Sequence, residues 1–179
     1  MKHVLAIAIF LFSLQSFAQK PCEYTTDVTD SIGTYKSTKE YMIAEKNFAG
    51  TSSYIFFSLA VADGMPLLNV QLIQKSKGFI KANCFDKNSK LFLQLNNGKV
   101  VTLIHTDQEN CGTMLRDDKG FDNRLTPGTF MFMKDSFEEL KKSPVSMMRI
   151  KYLTDTEDYV LKKQFTSELN NEVYEPETY

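Results

Sequence analysis

The sequence contains no tryptophan and only two histidines, His3 and His105. Without tryptophan the indole platforms used by many carbohydrate-binding modules are missing, although phenylalanine and tyrosine are plentiful, so a glycan site stays open. The scarcity of histidine excludes more, because His3 lies in a segment expected to be lost on export. A two-histidine zinc site cannot then be built within one chain, and any general base or triad using histidine must use His105. No Gly-x-Ser-x-Gly elbow, P-loop or dinucleotide fingerprint occurs, and no cofactor is implied. An excess of positive charge is missing too: 21 basic residues stand against 22 acidic ones, a formal charge of −1 at pH 7. That near-balance offers no footprint for a polyanion, and nucleic acid is not an expected partner.

Long apolar runs are equally absent. The run from Val4 to Leu14 falls well short of the roughly 20 residues that a bilayer-crossing helix needs, and no second one follows. With Lys2 before it and Gln15 and Ser16 after it, this run has the three-part pattern of a secretory signal. Ser16 and Ala18 supply small residues for cleavage between Ala18 and Gln19. Residues 1–18 are therefore expected to be a signal peptide, and the remainder a periplasmic or extracellular chain with no stable membrane anchor. Lipid attachment is not expected, since Cys22 follows Gln19, Lys20 and Pro21 rather than the cleavage point itself.

What is present reads as one domain over residues 19–165, followed by an acidic tail over 166–179 carrying Glu168, Glu172, Glu175 and Glu177. Extended runs closed by turn residues recur along it. Ile55, Phe57, Leu59 and Val61 alternate, as do Leu68, Val70 and Leu72, and Asp63-Gly64 separates the two runs. Asn97-Gly98 predicts a two-residue hairpin turn. One face of that hairpin would carry Leu91, Leu93, Leu95, Val100 and Ile104, the other Phe92, Val101 and Leu103; two apolar faces suit a central position. Residues 107–128 are rich in Asp, Asn and Gly and read as a long loop, followed by a short strand, 129–133. Ser136 and Glu139 form a capping-box pattern for a helix near residues 136–142, which Pro144 ends. Strands over 145–153, with Met148, Ile150 and Tyr152 on one face, and over 159–165 complete the chain. The pattern predicts a mainly β fold, an antiparallel β-sandwich or partly open barrel of about nine strands with one short helix.

Three cysteines, Cys22, Cys84 and Cys111, enter an oxidising compartment in which pairing is allowed. A two-residue turn at Asn97-Gly98 places Asn96 opposite Lys99; extended along both strands, that register sets Cys84 opposite Cys111, within reach of a disulfide. If Cys111 stays reduced, it could instead act as a nucleophile with His105 as base and Asp107 as orienter, the basis of a small thiol-dependent hydrolase. Asp117, Asp118 and Asp122, with Asn123, could offer oxygen ligands to calcium, although their spacing does not match an EF-hand and Asp and Asn also favour turns. Met131, Met133, Met147 and Met148 could be soft ligands, but packing explains them more simply.

The string Lys90 through Gly98 to Leu103, then Phe137 to Val145 with Leu140-Lys141-Lys142, then Met148-Arg149-Ile150, resembles exported β-rich proteins of Gram-negative bacteria that are themselves uncharacterised. Those chains join an Asn-Gly or Asp-Gly hairpin to a Leu-Lys-Lys helix and an Ile-Arg-Ile-like strand; here Met148 stands where Ile is commoner. The resemblance implies a fold and a location, and no activity or catalytic residue. The expectation is an exported domain that is not an enzyme and that binds an envelope protein or glycan, with the thiol hydrolase and a calcium-stabilised structural domain as alternatives.

Overall fold

The computed structural model describes residues 24–133 and 136–161. The signal segment with its Ala18/Gln19 junction, Cys22 and the acidic tail lie outside the described residues. Eleven strands and one helix follow in order: β1 (Tyr24–Thr29), β2 (Thr34–Thr38), β3 (Tyr41–Phe48), β4 (Thr51–Ala62), β5 (Met65–Ser76), β6 (Lys90–Leu95), β7 (Val100–His105), β8 (Thr113–Arg116), β9 (Asp122–Phe132), α1 (Ser136–Leu140), β10 (Val145–Lys151) and β11 (Thr156–Val160). The fold is mainly β, as expected, with eleven strands in place of about nine. Two differences account for the count. The extended run after Gly33 breaks at Lys39-Glu40 into β2 and β3, and the expected loop 107–128 contains β8 and the first half of β9.

All strands belong to one open antiparallel sheet, in the order β1-β2-β4-β5-β9-β7-β6-β10-β11. The long strands β4, β5 and β9 form its spine. The free edge of β4 is shared by β3, opposite Thr51 to Phe57, and β2, opposite Ala60 to Ala62. The free edge of β9 is shared in the same way by β8 and β7. The two-residue turns Ala49-Gly50 and Asp63-Gly64 close the β3–β4 and β4–β5 hairpins with positive φ at both positions, the geometry that matches the right-handed twist of paired strands. The sheet curls on itself until Lys46 on β3 lies 3.6 Å from Glu157 on β11. Beside that contact, the Tyr152 hydroxyl lies 3.0 Å from that of Tyr159, which in turn donates to Glu157. With the Tyr159 proton committed to the carboxylate, Tyr152 is the donor in the first bond. Burial pushes both phenols well above their ordinary range and keeps them protonated.

The curl encloses one core. Its inner face carries Ile55 and Phe57, Leu68, Val70 and Leu72, Phe130 and Phe132, Met148 and Ile150. The β6–β7 hairpin sits inside the sheet as expected, but its register differs by one residue. Leu95 pairs with Lys99 around the three-residue loop Asn96 to Gly98, with Gly98 at φ 83°. Leu93 therefore faces Val101 and Leu91 faces Leu103. A one-residue slip exchanges the two faces of a strand. Val101 and Leu103 consequently join Leu91, Leu93 and Leu95 in the core, while Val100 becomes exposed. Helix α1 is also shorter than expected, and Glu139 directs its carboxylate to Lys99 and Lys142.

Phe85, fully buried, is the hub of the aromatic packing. It stacks on His105 and Tyr152 at 5.4 and 5.2 Å and meets Phe130 edge-on at 5.4 Å. Burying such a ring stabilises the fold by about 2 to 3 kcal/mol. It fits because β9 has no side chain at Gly128, where a Cβ would stand 2.8 Å from the ring. Gly128→Ala should cost about 1 to 3 kcal/mol through this collision. Urea denaturation measures the loss, and adding Phe85→Leu should recover part of it.

Candidate functional site

Cys84 and Cys111 are joined by a disulfide. The route to it differs from the sequence expectation. The β6–β7 ladder reaches His105, whose backbone N–H donates to Ser89, in a register that would set Cys84 opposite Asn110. One extra residue on the 106–109 side then shifts the pairing, so that Phe85 bridges Asn110 and Cys84 meets Cys111. The turn and this bulge each displace the register by one residue, and the two displacements cancel.

The disulfide removes the nucleophile from the Cys111, His105 and Asp107 arrangement, since a bonded sulfur is not a thiolate. The His105 side chain is wholly buried between Phe85 and Phe130. Its Nδ1 lies 3.0 Å from the Asp86 carbonyl oxygen, so Nδ1 carries the hydrogen. Nε2 is 3.9 Å from the Asp107 carboxylate, too far for a hydrogen bond. Asp107 instead accepts from the backbone N–H of Thr129 at 3.0 Å. Asp107 thus holds the 105–111 segment onto β9, while the His105 ring and the disulfide tie it to residues 84–86.

The acidic segment is a turn. Asp117 accepts from Lys75 Nζ at 2.7 Å and from the backbone N–H groups of Lys119 and Phe121. Lys75 beside it, then the Phe121 N–H, lower its pKa to about 2. Asp122 faces Arg116 at 3.7 Å and Asn123 donates to Phe121. With the carboxylates of Asp117 and Asp122 turned to cations of the chain, Asp118 is left of the three acids considered for calcium. Among the described residues no three of His, Cys, Asp and Glu are grouped to hold a metal ion. The methionines do not converge either: Met148 is in the core, Met131 points to the outer face and Met133 is exposed.

The outer face of the spine carries a groove of about 360 Å³. Two cross-strand rows form its floor. Phe56, Gln71 and Pro127 face one another across β4, β5 and β9, and Ser58, Asn69 and Thr129 form the next row. Tyr35 from β2 and Glu40 from the β2–β3 connection complete the lining. Asn69 donates to Tyr35 Oη at 3.0 Å and to Ser58 Oγ at 3.3 Å. Both amide hydrogens are thus engaged, the amide plane is fixed, and the carbonyl oxygen is the remaining acceptor. No family model, curated protein or solved structure matches the chain. The chemistry of the groove therefore has to be read from its lining: two aromatic rings, a proline ring, two amides, two side-chain hydroxyls besides the Tyr35 phenol, and one carboxylate. Apolar walls with a few oriented polar groups are the usual makeup of a ligand pocket. A retaining or inverting glycosidase needs two carboxyl groups across the scissile bond, and this lining supplies Glu40 alone.

Sequence reasoning missed this site. The alternation that identified Leu68, Val70 and Leu72 also sets Asn69 and Gln71 on the opposite face, which was the available signal. Their neighbour Pro127 falls in the expected loop, within which β9 begins, and Thr129, though in an expected strand, reaches Asn69 only through the β5–β9 ladder.

Two outcomes check these assignments. Alkylation of denatured, non-reduced protein should leave Cys84 and Cys111 unmodified in the mass spectrum, and replacing both by Ala should cost about 3 kcal/mol. For Asp117 the folded-state pKa is depressed, so its contribution to stability is complete above the unfolded value of 3.8 and is lost as pH falls towards about 2. The melting temperature of Asp117→Asn should lie below wild type at pH 6, with the gap closing between pH 4 and 2.

Proposed function

We propose that this chain is an exported, non-catalytic binding domain whose ligand is a neutral glycan of the cell envelope, taken in the outer groove. The observation that carries the reading is the groove floor. Phe56 and Pro127 flank Gln71 in one row, and Ser58 and Thr129 flank the braced Asn69 in the next. Apolar rings suit the C–H faces of a sugar, while amide and hydroxyl groups match its hydroxyls in both donor and acceptor roles. A neutral ligand fits a lining with a single charged group. The disulfide is compatible with an oxidising compartment, and no helix among the described residues is long and apolar enough to cross a membrane. The disulfide supports export, together with the signal-like N-terminus and the resemblance to exported proteins.

Titration with neutral hexose and N-acetylhexosamine oligosaccharides, followed by amide NMR, tests the reading. At least one series should move the resonances of β5 and β9 around Asn69, Gln71 and Thr129 in a saturable way. Asn69→Ala and Gln71→Ala should each weaken binding about tenfold, as expected for loss of one or two hydrogen bonds. Unmoved groove resonances, or undiminished binding by both variants, would sink the proposal.

A further inference from the structure

On the inner face, at the end of the spine nearest the Ala49-Gly50 turn, the core lining changes from apolar to polar. One continuous row crosses five strands: Lys46, Ser53, Gln74, Arg124 and Met114 are paired in register. Thr126 lies two residues beyond Arg124 on the same face of β9, opposite Leu72. Three polar atoms in this cluster are buried without a hydrogen-bond partner: Gln74 Oε1, Arg124 Nε and Thr126 Oγ1. Gln74 is 8 % exposed and Thr126 0 %. Leaving such groups unsatisfied costs about 1 to 3 kcal/mol each, and more where the group is charged.

Arg124 stands apart from the other two arginines. Arg116 and Arg149 each face an aspartate, Asp122 at 3.7 Å and Asp158 at 2.6 Å. No carboxylate among the described residues lies within ion-pair distance of Arg124. Its Nη1 donates at 2.7 Å to the Cys111 carbonyl oxygen. That oxygen is held by the disulfide and by the adjoining Gly112, whose φ of 77° and approach to Thr126 and the Leu125 carbonyl leave no room for a Cβ. The guanidinium is thus anchored through one nitrogen. The edge formed by Nε and Nη2 remains, and this is an edge that grips two oxygens of a carboxylate or phosphate with parallel hydrogen bonds.

We propose that Arg124, Gln74 and Thr126 form a receptor for a small oxyanion. Arg124 supplies the bidentate edge, the Thr126 hydroxyl donates a third hydrogen bond, and the Gln74 amide donates a fourth once its NH₂ is turned inward. Arg124 is only partly buried, as are Thr51 and Asp122 in the neighbouring cross-strand row, so a ligand would enter from this end of the sheet. It lies on the opposite face of the sheet from the glycan groove and does not depend on that reading.

The test follows the Nε–H resonance of Arg124 in ¹⁵N-labelled protein during titration with acetate, inorganic phosphate, or chloride at matched ionic strength. A saturable shift with acetate or phosphate and none with chloride is expected, and the tighter of the two identifies a carboxylate or a phosphate as the ligand class. Thr126→Val should weaken binding several-fold. Arg124→Lys keeps the charge but cannot present a planar fork, and should weaken it at least tenfold, with backbone resonances confirming the fold. An Nε–H that responds to all three salts alike, or to none, overturns the proposal, as does full affinity in Arg124→Lys. The wild-type titration decides even if a variant fails to fold.

Discussion

Strand β5 hydrogen-bonds to β4 along one edge and to β9 along the other, residue for residue from Leu67 to Ser76, and everything else is arranged around that double register. Its even-numbered residues Leu68, Val70 and Leu72 reach the core; the odd-numbered Asn69 and Gln71 form the floor of the outer groove. Further along the even face, Gln74 joins Arg124. Because side chains alternate with period two, a slip of one residue would carry the leucines into solvent and the amides into the core. Core burial therefore enforces the pairing that assembles both candidate sites, neither of which has the apolar content to hold the strands in place by itself.

Much of this was legible in the residues. Alternation and the Asp63-Gly64 turn mark β4 and β5 as successive strands, and Met148, Ile150 and Tyr152 share the buried face expected of them. The β6–β7 hairpin was recognised but misregistered, since Asn97-Gly98 serves equally as the end of a two-residue turn or of a three-residue loop with Gly98 left-handed. The Cys84–Cys111 pairing was reached despite that error because the residue added at 106–109 restores the register. The acidic segment was misread as a long loop for a plain reason: the Asp and Asn that suggest irregular chain in fact cap the tight β8–β9 turn, with Asp117 accepting its backbone donors.

The candidate sites were harder to see, and the reason is topological. Each is assembled from β5 and β9 together, strands that are far apart in sequence and whose register is set by a ladder rather than by a local turn. Local patterns place Asn69 and Gln71 on a face; only the ladder supplies Pro127 and Thr129 beside them. The residues that stand out chemically, His105, Asp107 and Cys111, fasten the 105–111 segment to β9 and to residues 84–86. Reactive residue types gathered in sequence can thus serve attachment, while ordinary amides and hydroxyls spaced far apart converge on a surface.

The disulfide makes a covalent ring of the segment between Cys84 and Cys111, spanning 27 positions and containing the whole β6–β7 hairpin. A single proteolytic cut anywhere from Phe85 to Asn110 would leave the two pieces tied together, with both cut strands still flanked by β9 and β10. The hairpin inserted in mid-sheet can therefore be nicked without being shed.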